Sequence, residues 1–415
     1  SVKHRWNLSG TYQQVVPDYF STGPDGVSDR RSFLHDYFDS MREMATSIFL
    51  KGYQWPFHSA RLQGKGSSIV DIAVHNEIAN GRRVFMDFMN NPRPADGMDP
   101  FTVEGLRDEA RTYLERSGAL HETPYERLRH MNRQSIDLYA EHGIDLREPL
   151  EVAVCAQHCN GGIRGNIWWE TSVPHLFAIG ELNGSHGVRP GGSALNSGQV
   201  GAVRAAQYIA NRYAQPPTEP HEFAETVTKQ VREQHREYDR ALAAGPEALN
   251  LDDVRPEIQN RMSAAPAFIR ELSFVEAALL EARTLYRRIV RNGIRCPDRR
   301  ALARVSEDRL LALTSIAFLE AIRYYIANGG GSRGGYMVLD ENGDLTVDSK
   351  RGSELRHRSE NEDKRKEILE VTVANSRDGQ CAVEPVPVRP LPADESWYET
   401  TWSAWSRGEI YQAKA

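Results

Sequence analysis

The most constraining feature of the sequence is a glycine-rich stretch that runs directly into a helix. Residues 180–192, GELNGSHGVRPGG, hold five glycines in thirteen positions, and a helical pattern starts at Ser193. Glycine lets the backbone approach a ligand closely, and a helix N-terminus offers free N–H groups and a positive dipole end. The stretch predicts a binding place for an anion or an electron-rich ring edge. A glycine-rich loop that only packs a helix, with no ligand, has the same composition.

The helix that follows carries small residues on one face. Gly198, Gly201, Ala202 and Ala205 lie at helical spacing, so we expect the helix to pack tightly on a sheet or a ring system. Glu181 stands at the end of a predicted strand, where an acidic side chain can accept hydrogen bonds from sugar-type hydroxyls.

Composition sets broad limits on the class of protein. The chain has 415 residues, of which 40% are hydrophobic and 26% charged, which is typical of a soluble globular protein with two or three domains. The net charge of −6 gives no general electrostatic case for nucleic acid or an anionic membrane. We find no apolar run of about 18 residues and no signal-peptide pattern, and we predict a cytoplasmic protein without a membrane span.

The cysteines do not indicate a disulfide framework or a metal centre. Cys155, Cys159, Cys296 and Cys381 are too few and too scattered for such a framework. Cys155 and Cys159 flank His158, but no second Cys/His pair follows at a zinc-site spacing. We therefore predict no metal site.

Apolar periodicity predicts a mixed α/β chain with long helices in its second half. A proline-rich boundary, QPPTEP, stands at 215–220. Ser306 is a candidate helix cap, and the charged run 350–367 is predicted to be a solvated face. Helices are predicted over 32–50, 67–80, 102–117, 124–142, 193–214, 221–243, 254–271, 273–292 and 306–328, and strands over 82–88, 150–157, 163–170 and 175–182.

The glycine-rich segment also resembles a known family. The stretch TSVPHLFAIGELNGSHGVRPGGSALN, at 171–196, is similar to the FAD-contacting segment of the fumarate reductase, succinate dehydrogenase and L-aspartate oxidase flavoproteins. Weaker similarities, in AQHCNGG, GSSIVDIAVHNEIANGRRVFMDF and SRGGY, extend the resemblance in order over roughly residues 1–340. The residues in register are Thr171, Leu176, Phe177, Ala178, Gly180, Glu181, His186, Gly187, Arg189, Gly191, Gly192 and Leu195.

The resemblance implies an architecture of four parts, which is α+β and α/β mixed. An α+β cap domain would occupy 1–148, and a partial FAD-binding sheet segment of the glutathione-reductase type would occupy 149–215. A helical domain would follow at 216–330, and a C-terminal extension at 331–415.

The resemblance also implies an FAD-dependent oxidoreductase that transfers hydride between flavin N5 and a small, carboxylate-bearing substrate. Glu181 would bond the ribityl chain, and Arg189 would clamp a substrate carboxylate bidentately. The backbone at the helix start would meet the flavin pyrimidine edge and stabilise negative charge there. The cofactor-binding residues implied are Gly180, Glu181, Gly191, Gly192, Ser193, Ala194, Leu195 and Asn196.

Two departures from the family pattern concern the substrate. The family's substrate histidine aligns with Gln157, and the nearest histidine, His158, is one place later, which on a strand is the opposite face. Either Gln157 acts or the strand is shifted so that His158 acts. The stretch that corresponds to the family's proton-donor arginine, residues 10–20, has no arginine and offers Tyr12, Gln13 and Gln14. We therefore expect a substrate other than fumarate.

The third departure is the absence of a G-x-G-x-x-G turn between a strand and a helix. In the family this fingerprint lies in an N-terminal part of the FAD domain, and it holds the ADP half of the cofactor. We predict that a second chain supplies that half in a hetero-oligomer, since half a flavin site would leave apolar surface uncovered. A truncated chain is the alternative.

Two other functions stay open. An L-aspartate-oxidase-like enzyme would pass electrons to oxygen, and a non-catalytic interaction subunit would keep the fold without flavin chemistry. The segment TWSAWSRG, at 401–408, matches a cytokine-receptor signature by chance, because the paired cysteines and signal segment of such receptors are missing. Its tryptophans are predicted to pack a C-terminal tail onto the body or onto a partner.

Overall fold

The computed structural model describes residues 10–54, 56–154, 161–184, 193–213, 218–352, 355–375, 377–390, 393, 395 and 397–412. The chain forms two compact units. The first unit comprises Ser1–Gln157, Pro256–Thr284 and Thr314–Lys364, and the second comprises His158–Arg255, Leu285–Leu313 and Arg365–Ala415. The division into four domains stays a prediction.

Helices dominate the described residues, and the sheets are small, which confirms the predicted mixed α/β class. The helices are α1 (Thr11–Gln14), α2 (Met41–Tyr53), α3 (Ser68–Ala79), α4 (Asp108–Arg116), α5 (Pro124–Glu141), α6 (Ser193–Arg212), α7 (Pro220–Ala243), α8 (Leu251–Ala264), α9 (Leu272–Asn292), α10 (Leu302–Ala327) and α11 (Trp397–Ser406). The strands are β1 (Asp18–Thr22), β2 (Arg31–Ser32), β3 (Arg83–Asp87), β4 (Leu150–Val152), β5 (Leu249–Asn250), β6 (Ile269–Arg270), β7 (Ile294–Arg295), β8 (Met337–Val338), β9 (Leu345–Thr346), β10 (Arg356–His357), β11 (Glu367–Asn375) and β12 (Gln380–Pro387).

The first unit is built on an antiparallel sheet of order β2-β1-β3-β4. Apolar side chains of α2 and α3, among them Ile48, Phe49 and Ile72, are fully buried in the same core. Because both helices turn β-branched and aromatic residues inward, they cover the sheet and bury its apolar surface.

Several helix boundaries differ from the sequence prediction. The helix predicted over 102–117 begins only at Asp108, and the helix predicted over 254–271 spans only Leu251–Ala264. The helix predicted over 32–50 begins only at Met41, because the extended Ser40 accepts a hydrogen bond from Glu43 N at 3.3 Å and caps it. Ser306 is not a cap, since α10 starts at Leu302 and the Ser306 hydroxyl lies inside the helix, 3.3 Å from Tyr238 Oη.

The strands predicted over 163–170 and 175–182 are wrong. This region has only the single bridges Ile163–Asn183 and Glu170–Phe177. The cause is local, since the Asn166 side chain accepts hydrogen bonds from the backbone of Trp168 and Glu170 at 2.8 and 3.1 Å. This folds the segment into a turn, as Asn side chains commonly do.

The charged run 350–367 is not uniformly solvated. His357 is 1% exposed, and its strand β10 pairs antiparallel with β9. Arg358 forms an ion pair with Asp340, and Arg333 forms one with Glu360 at 3.2 Å. The middle of the run therefore belongs to the folded body of the first unit.

One helical segment within the described residues, Arg299–Ala327, is long and apolar enough to cross a membrane by length and composition. A core helix of a soluble protein passes the same test. Glu320 on this helix is buried and pairs with Arg283 and Arg323, as a helix packed inside a protein does. The segment is therefore weak evidence for a span.

A buried arginine ties together the loops of the first unit. Arg127 on α5 is 1% exposed, and its guanidinium donates to Val15 O at 2.9 Å, His121 O at 2.8 Å and the Asn91 side chain. Desolvation lowers the pKa of Arg127 to about 10, so it stays charged at neutral pH. Its donors satisfy carbonyls that would otherwise be buried without partners.

Arg127→Ala is expected to lower the free energy of unfolding by about 3–5 kcal/mol, because several buried acceptors lose their partner. The exposed Arg129 on the same helix is the matched control, and Arg129→Ala should change stability by about 0.5 kcal/mol or less. Urea unfolding measures both values. Equal effects of the two substitutions would contradict the role assigned to Arg127.

Candidate functional site

The segment with the glycine-rich motif folds as a short turn packed on a long helix in the second unit. Residues Gly180–Leu182 form one turn of 3₁₀ helix, and Gly180 has a φ of +69°, which favours glycine. A Cβ atom on Gly180 would lie 3.7 Å from the Cα of Gly198 on α6. The turn and the helix therefore meet backbone to backbone.

A second glycine of α6 makes a still closer approach. A Cβ on Gly201 would lie 2.8 Å from Trp169 Nε1 and 3.3 Å from Ile179 Cγ2. One turn further along the same face, Ala205 is 2% exposed. The predicted tight packing of this face is confirmed for Gly198, Gly201 and Ala205, but Ala202 is exposed.

The turn is held from its other side by an extended segment. Ile163 N donates to Leu182 O at 2.8 Å, and Gly184 N donates to Ile163 O at 3.0 Å. The side-chain amide of the buried Asn183 donates to Ala178 O at 3.1 Å. These bonds fix the backbone around Glu181, whose side chain is exposed.

The structure brings together part of the predicted cofactor set. Gly180 and Glu181 lie in the turn, and Ser193, Ala194, Leu195 and Asn196 form the start of α6, where Leu195 is 76% exposed. The predicted catalytic residues Gln157, His158 and Arg189 lie outside the described residues, as do Gly191 and Gly192.

The remaining part of α6 is anchored by aromatic side chains that the sequence analysis did not assign to the site. Trp168 stacks on Tyr208 with ring centroids 5.1 Å apart, and Tyr411 of the C-terminal tail lies 5.3 Å from Trp168. The Arg204 guanidinium lies 4.6 Å from the centre of the Trp168 ring, where burial lowers the pKa of Arg204. In the sequence, only the i, i+4 spacing of Arg204 and Tyr208 indicates that these two side chains lie on the same side of α6.

The C-terminal tail packs on the second unit through Tyr411 and through Trp405, which is one of the four aromatic residues predicted to do so, with Trp397, Tyr398 and Trp402. Trp405 Nε1 donates to Gln207 Oε1 at 3.3 Å, and the Tyr411 hydroxyl lies 2.7 Å from the same oxygen. Trp397, Tyr398 and Trp402 remain 50–60% exposed. The tail is therefore attached at its end and through Trp405, while the other aromatic side chains of α11 face outward.

The polar groups near the first helix are buried. Tyr12, Gln13 and Gln14 are each less than 10% exposed, and the Tyr12 hydroxyl donates to Ser135 O at 3.0 Å. Gln13 Nε2 donates to Tyr19 Oη at 3.2 Å. These side chains are buried in the core of the first unit, where Tyr12 and Gln13 form hydrogen bonds. Among the described residues no group of three His, Cys, Asp or Glu side chains could hold a metal ion.

Curated proteins that include flavin enzymes are similar to parts of the chain, although no protein-family model matches it. One component of the fumarate reductase (CoM/CoB) of Methanothermobacter marburgensis is 32% identical over 176 residues, which are 42% of this chain and 30% of that protein. An uncharacterised FAD-dependent oxidoreductase of Methanocaldococcus jannaschii is 36% identical over 123 residues, or 29% of this chain and 21% of that one. L-aspartate oxidase of Streptomyces coelicolor is 42% identical over 73 residues, which are 17% of this chain and 13% of that protein.

A solved structure is similar to this chain in fold. Sdh1 of Mycobacterium smegmatis, from the complex in its apo form, superposes with a TM-score of 0.50 at 18% identity, covering 84% of this chain and 50% of Sdh1. The E. coli quinol fumarate reductase FrdA gives a TM-score of 0.49 at 15% identity, covering 99% of this chain and 59% of FrdA.

These relatives define the chain as a homologue of flavin-dependent oxidoreductases. In particular, they confirm the resemblance to the fumarate reductase, succinate dehydrogenase and L-aspartate oxidase flavoproteins. The chain spans about half the length of the Sdh1 structure, and its matched segment covers under a third of each curated relative.

Gly201→Ala is expected to lower the free energy of unfolding by about 1–3 kcal/mol, because the new methyl group overlaps the Trp169 ring. Gly198→Ala is the matched control on the same helix face. Its methyl group meets only the Cα of Gly180, at 3.9 Å, and it removes a helix glycine, so stability should hold or rise by about 1 kcal/mol. Chemical unfolding followed by circular dichroism checks both, and a neutral Gly201→Ala would refute the close packing.

Proposed function

We propose that the protein is an FAD-dependent oxidoreductase in which this chain supplies the flavin-ring and substrate half of the site. The observation that carries the proposal is the backbone contact between the Gly180–Leu182 turn and α6. The names of the relatives, which include a fumarate reductase and an FAD-dependent oxidoreductase, support it.

The residues at this place suit the flavin half of FAD. The side chains of Glu181, Leu195 and Asn196 are exposed, so a ligand can reach them. The N–H groups of the first turn of α6 have no partner within the helix and can bond acceptors on a pyrimidine-like ring edge. Glu181 would accept hydrogen bonds from the ribityl hydroxyls, and Gly191 and Gly192 would let the backbone come close. FAD, when bound, supplies hydride transfer.

The chain's own contribution to substrate binding is assigned to Arg189. A guanidinium binds a carboxylate through two parallel N–H···O bonds, which orients a small anionic substrate as well as attracting it. Either Gln157 or His158 would provide a second polar contact to the substrate. These three assignments rest on the sequence motif alone.

Exposed apolar surface supports a partner at the proposed cofactor site. Leu195, Val203 and Ile209 of α6 are 76%, 56% and 40% exposed, and Ala202 and Ala206 of the same helix are also exposed. Such apolar surface on a long helix marks an interaction site. We propose that a second chain, which carries the G-x-G-x-x-G turn, covers this surface and binds the ADP half of FAD.

The flavin absorbance spectrum of the complete purified protein tests the proposal. A visible flavin spectrum, with FAD released on denaturation in a fixed ratio to this chain, is the expected result. Mass spectrometry of the same sample identifies any second chain. A complete protein that is colourless and does not bind added FAD would rule out the flavin function and favour a non-catalytic interaction subunit.

Arg189→Ala is expected to abolish turnover of an anionic substrate while flavin stays bound, because it removes the carboxylate contact without touching the cofactor set. Arg212→Ala, at the exposed end of α6, is the control and should leave turnover unchanged. Steady-state rates and flavin absorbance are measured on both variants. Unchanged turnover in Arg189→Ala would remove this residue from the site.

A second candidate, an oxidase that resembles L-aspartate oxidase, is favoured by two relatives of that name. The Bacillus subtilis protein is 27% identical over 174 residues, in addition to the Streptomyces relative. In such an enzyme, oxygen accepts the electrons from the reduced flavin. Substrate-dependent oxygen consumption with hydrogen peroxide formation would identify the oxidase, whereas its absence, together with reduction of an artificial acceptor, would identify a dehydrogenase or reductase.

A further inference from the structure

The longest strands of the described chain form a two-stranded hairpin that the proposed function does not use. Strands β11 and β12, at 367–375 and 380–387, pair only with each other in a two-stranded antiparallel sheet of the second unit. A two-stranded hairpin is marginally stable by itself and usually gains a third strand or a packing partner. Each of its two outer edges is therefore a candidate interaction surface.

The register identifies which backbone groups point outward. Just beyond the ends of the strands, Val388 N donates to Lys366 O at 2.9 Å. This pair follows the register of the hairpin, in which Glu370 lies opposite Glu384. In an antiparallel pair, bonded and non-bonded residue pairs alternate. The even-numbered residues of β11 therefore bond to β12, and the odd-numbered ones direct N–H and C=O away from it.

The two edges differ in their protection. Pro385 and Pro387 occupy outward-facing positions of β12 and have no N–H to donate, a common device that blocks pairing at an edge. The corresponding edge of β11 has Leu369, Val371 and Val373. Their outward backbone groups bond to no other described residue. The only irregularity of β11, a register shift, lies beyond Val373.

The open edge of β11 is complementary to itself. An antiparallel copy placed about a two-fold axis at Val371 would set Leu369 opposite Val373 and Ile368 opposite Ala374. Glu370 would then face Thr372, so no like charges meet across the new strand pair. The three outward residues of each strand would form about six backbone hydrogen bonds.

We propose that two copies of this chain pair through β11, giving a four-stranded sheet of order β12-β11-β11-β12 around a two-fold axis. Such a contact is isologous and closes on itself, so it forms a dimer and not a fibre. Each β11 strand would add to the exposed edge of the other, and main-chain hydrogen bonds would supply the affinity. This dimer is independent of the flavin site.

Val371→Pro and Val383→Pro test the proposal as a matched pair. The two residues are directly opposite each other in the hairpin, and both point their N–H outward, so each proline removes one outward donor and adds the same constraint. Light scattering coupled to size-exclusion chromatography measures the mass of the complete protein, together with any chain bound to it. We expect wild type and Val383→Pro at twice the mass of Val371→Pro. Three results would each overturn the proposal. Val371→Pro could keep the wild-type mass, both variants could dissociate equally, or the wild type could contain one copy of this chain at all concentrations.

A cross-link covers the case in which proline unfolds the hairpin. In a Cys381→Ser background, Val371→Cys would place two thiols across the axis with Cα atoms about 5.5 Å apart, within disulfide range. Mild oxidation should join two copies of this variant and leave Val383→Cys uncross-linked. Flavin content should not change in either. No cross-link with Val371→Cys, or equal cross-linking of both variants, would contradict pairing through β11.

Discussion

The approach of the Gly180–Leu182 turn to α6 is the constraint on which the rest of the candidate site depends. A side chain at Gly201 would collide with Trp169, and one at Gly180 would require a left-handed backbone that other residues rarely adopt. Because glycine stands at both positions, the turn that carries Glu181 and the helix that would meet the flavin lie in direct backbone contact. Bond networks through Asn183 and Ile163 then hold the turn in place.

This packing leaves the two faces of α6 in different surroundings. The face with Gly201, Ala205 and Tyr208 is buried, whereas the face with Leu195 and Val203 is exposed. Both faces are apolar or small, so helical periodicity could not distinguish the one that packs inside this chain. The exposed face is the physical reason for proposing a partner.

Local patterns predicted the helices well and the strands poorly. The helix from Ser193 and most helices of the second half of the chain lie close to where periodicity placed them, because a helix satisfies its backbone within one segment. The exception is α8, which was predicted to reach residue 271 and ends at Ala264. Strands depend on a distant partner. Residues 163–170 had the right composition, but the Asn166 side chain satisfied the backbone locally, and no strand formed. The charge pattern likewise predicts a solvated His357, although its burial depends on β9 and Ser332.

The sequence by itself determined most of the helical framework and the resemblance to flavoproteins, because these are encoded in contiguous residues. Only the tertiary structure decided which glycines of α6 are required, which face of that helix is open, and that β12 is blocked at its edge while β11 is not. The physical reason is that close approach, exposure and strand register arise from atoms far apart along the chain. Their positions are fixed only when the chain has folded.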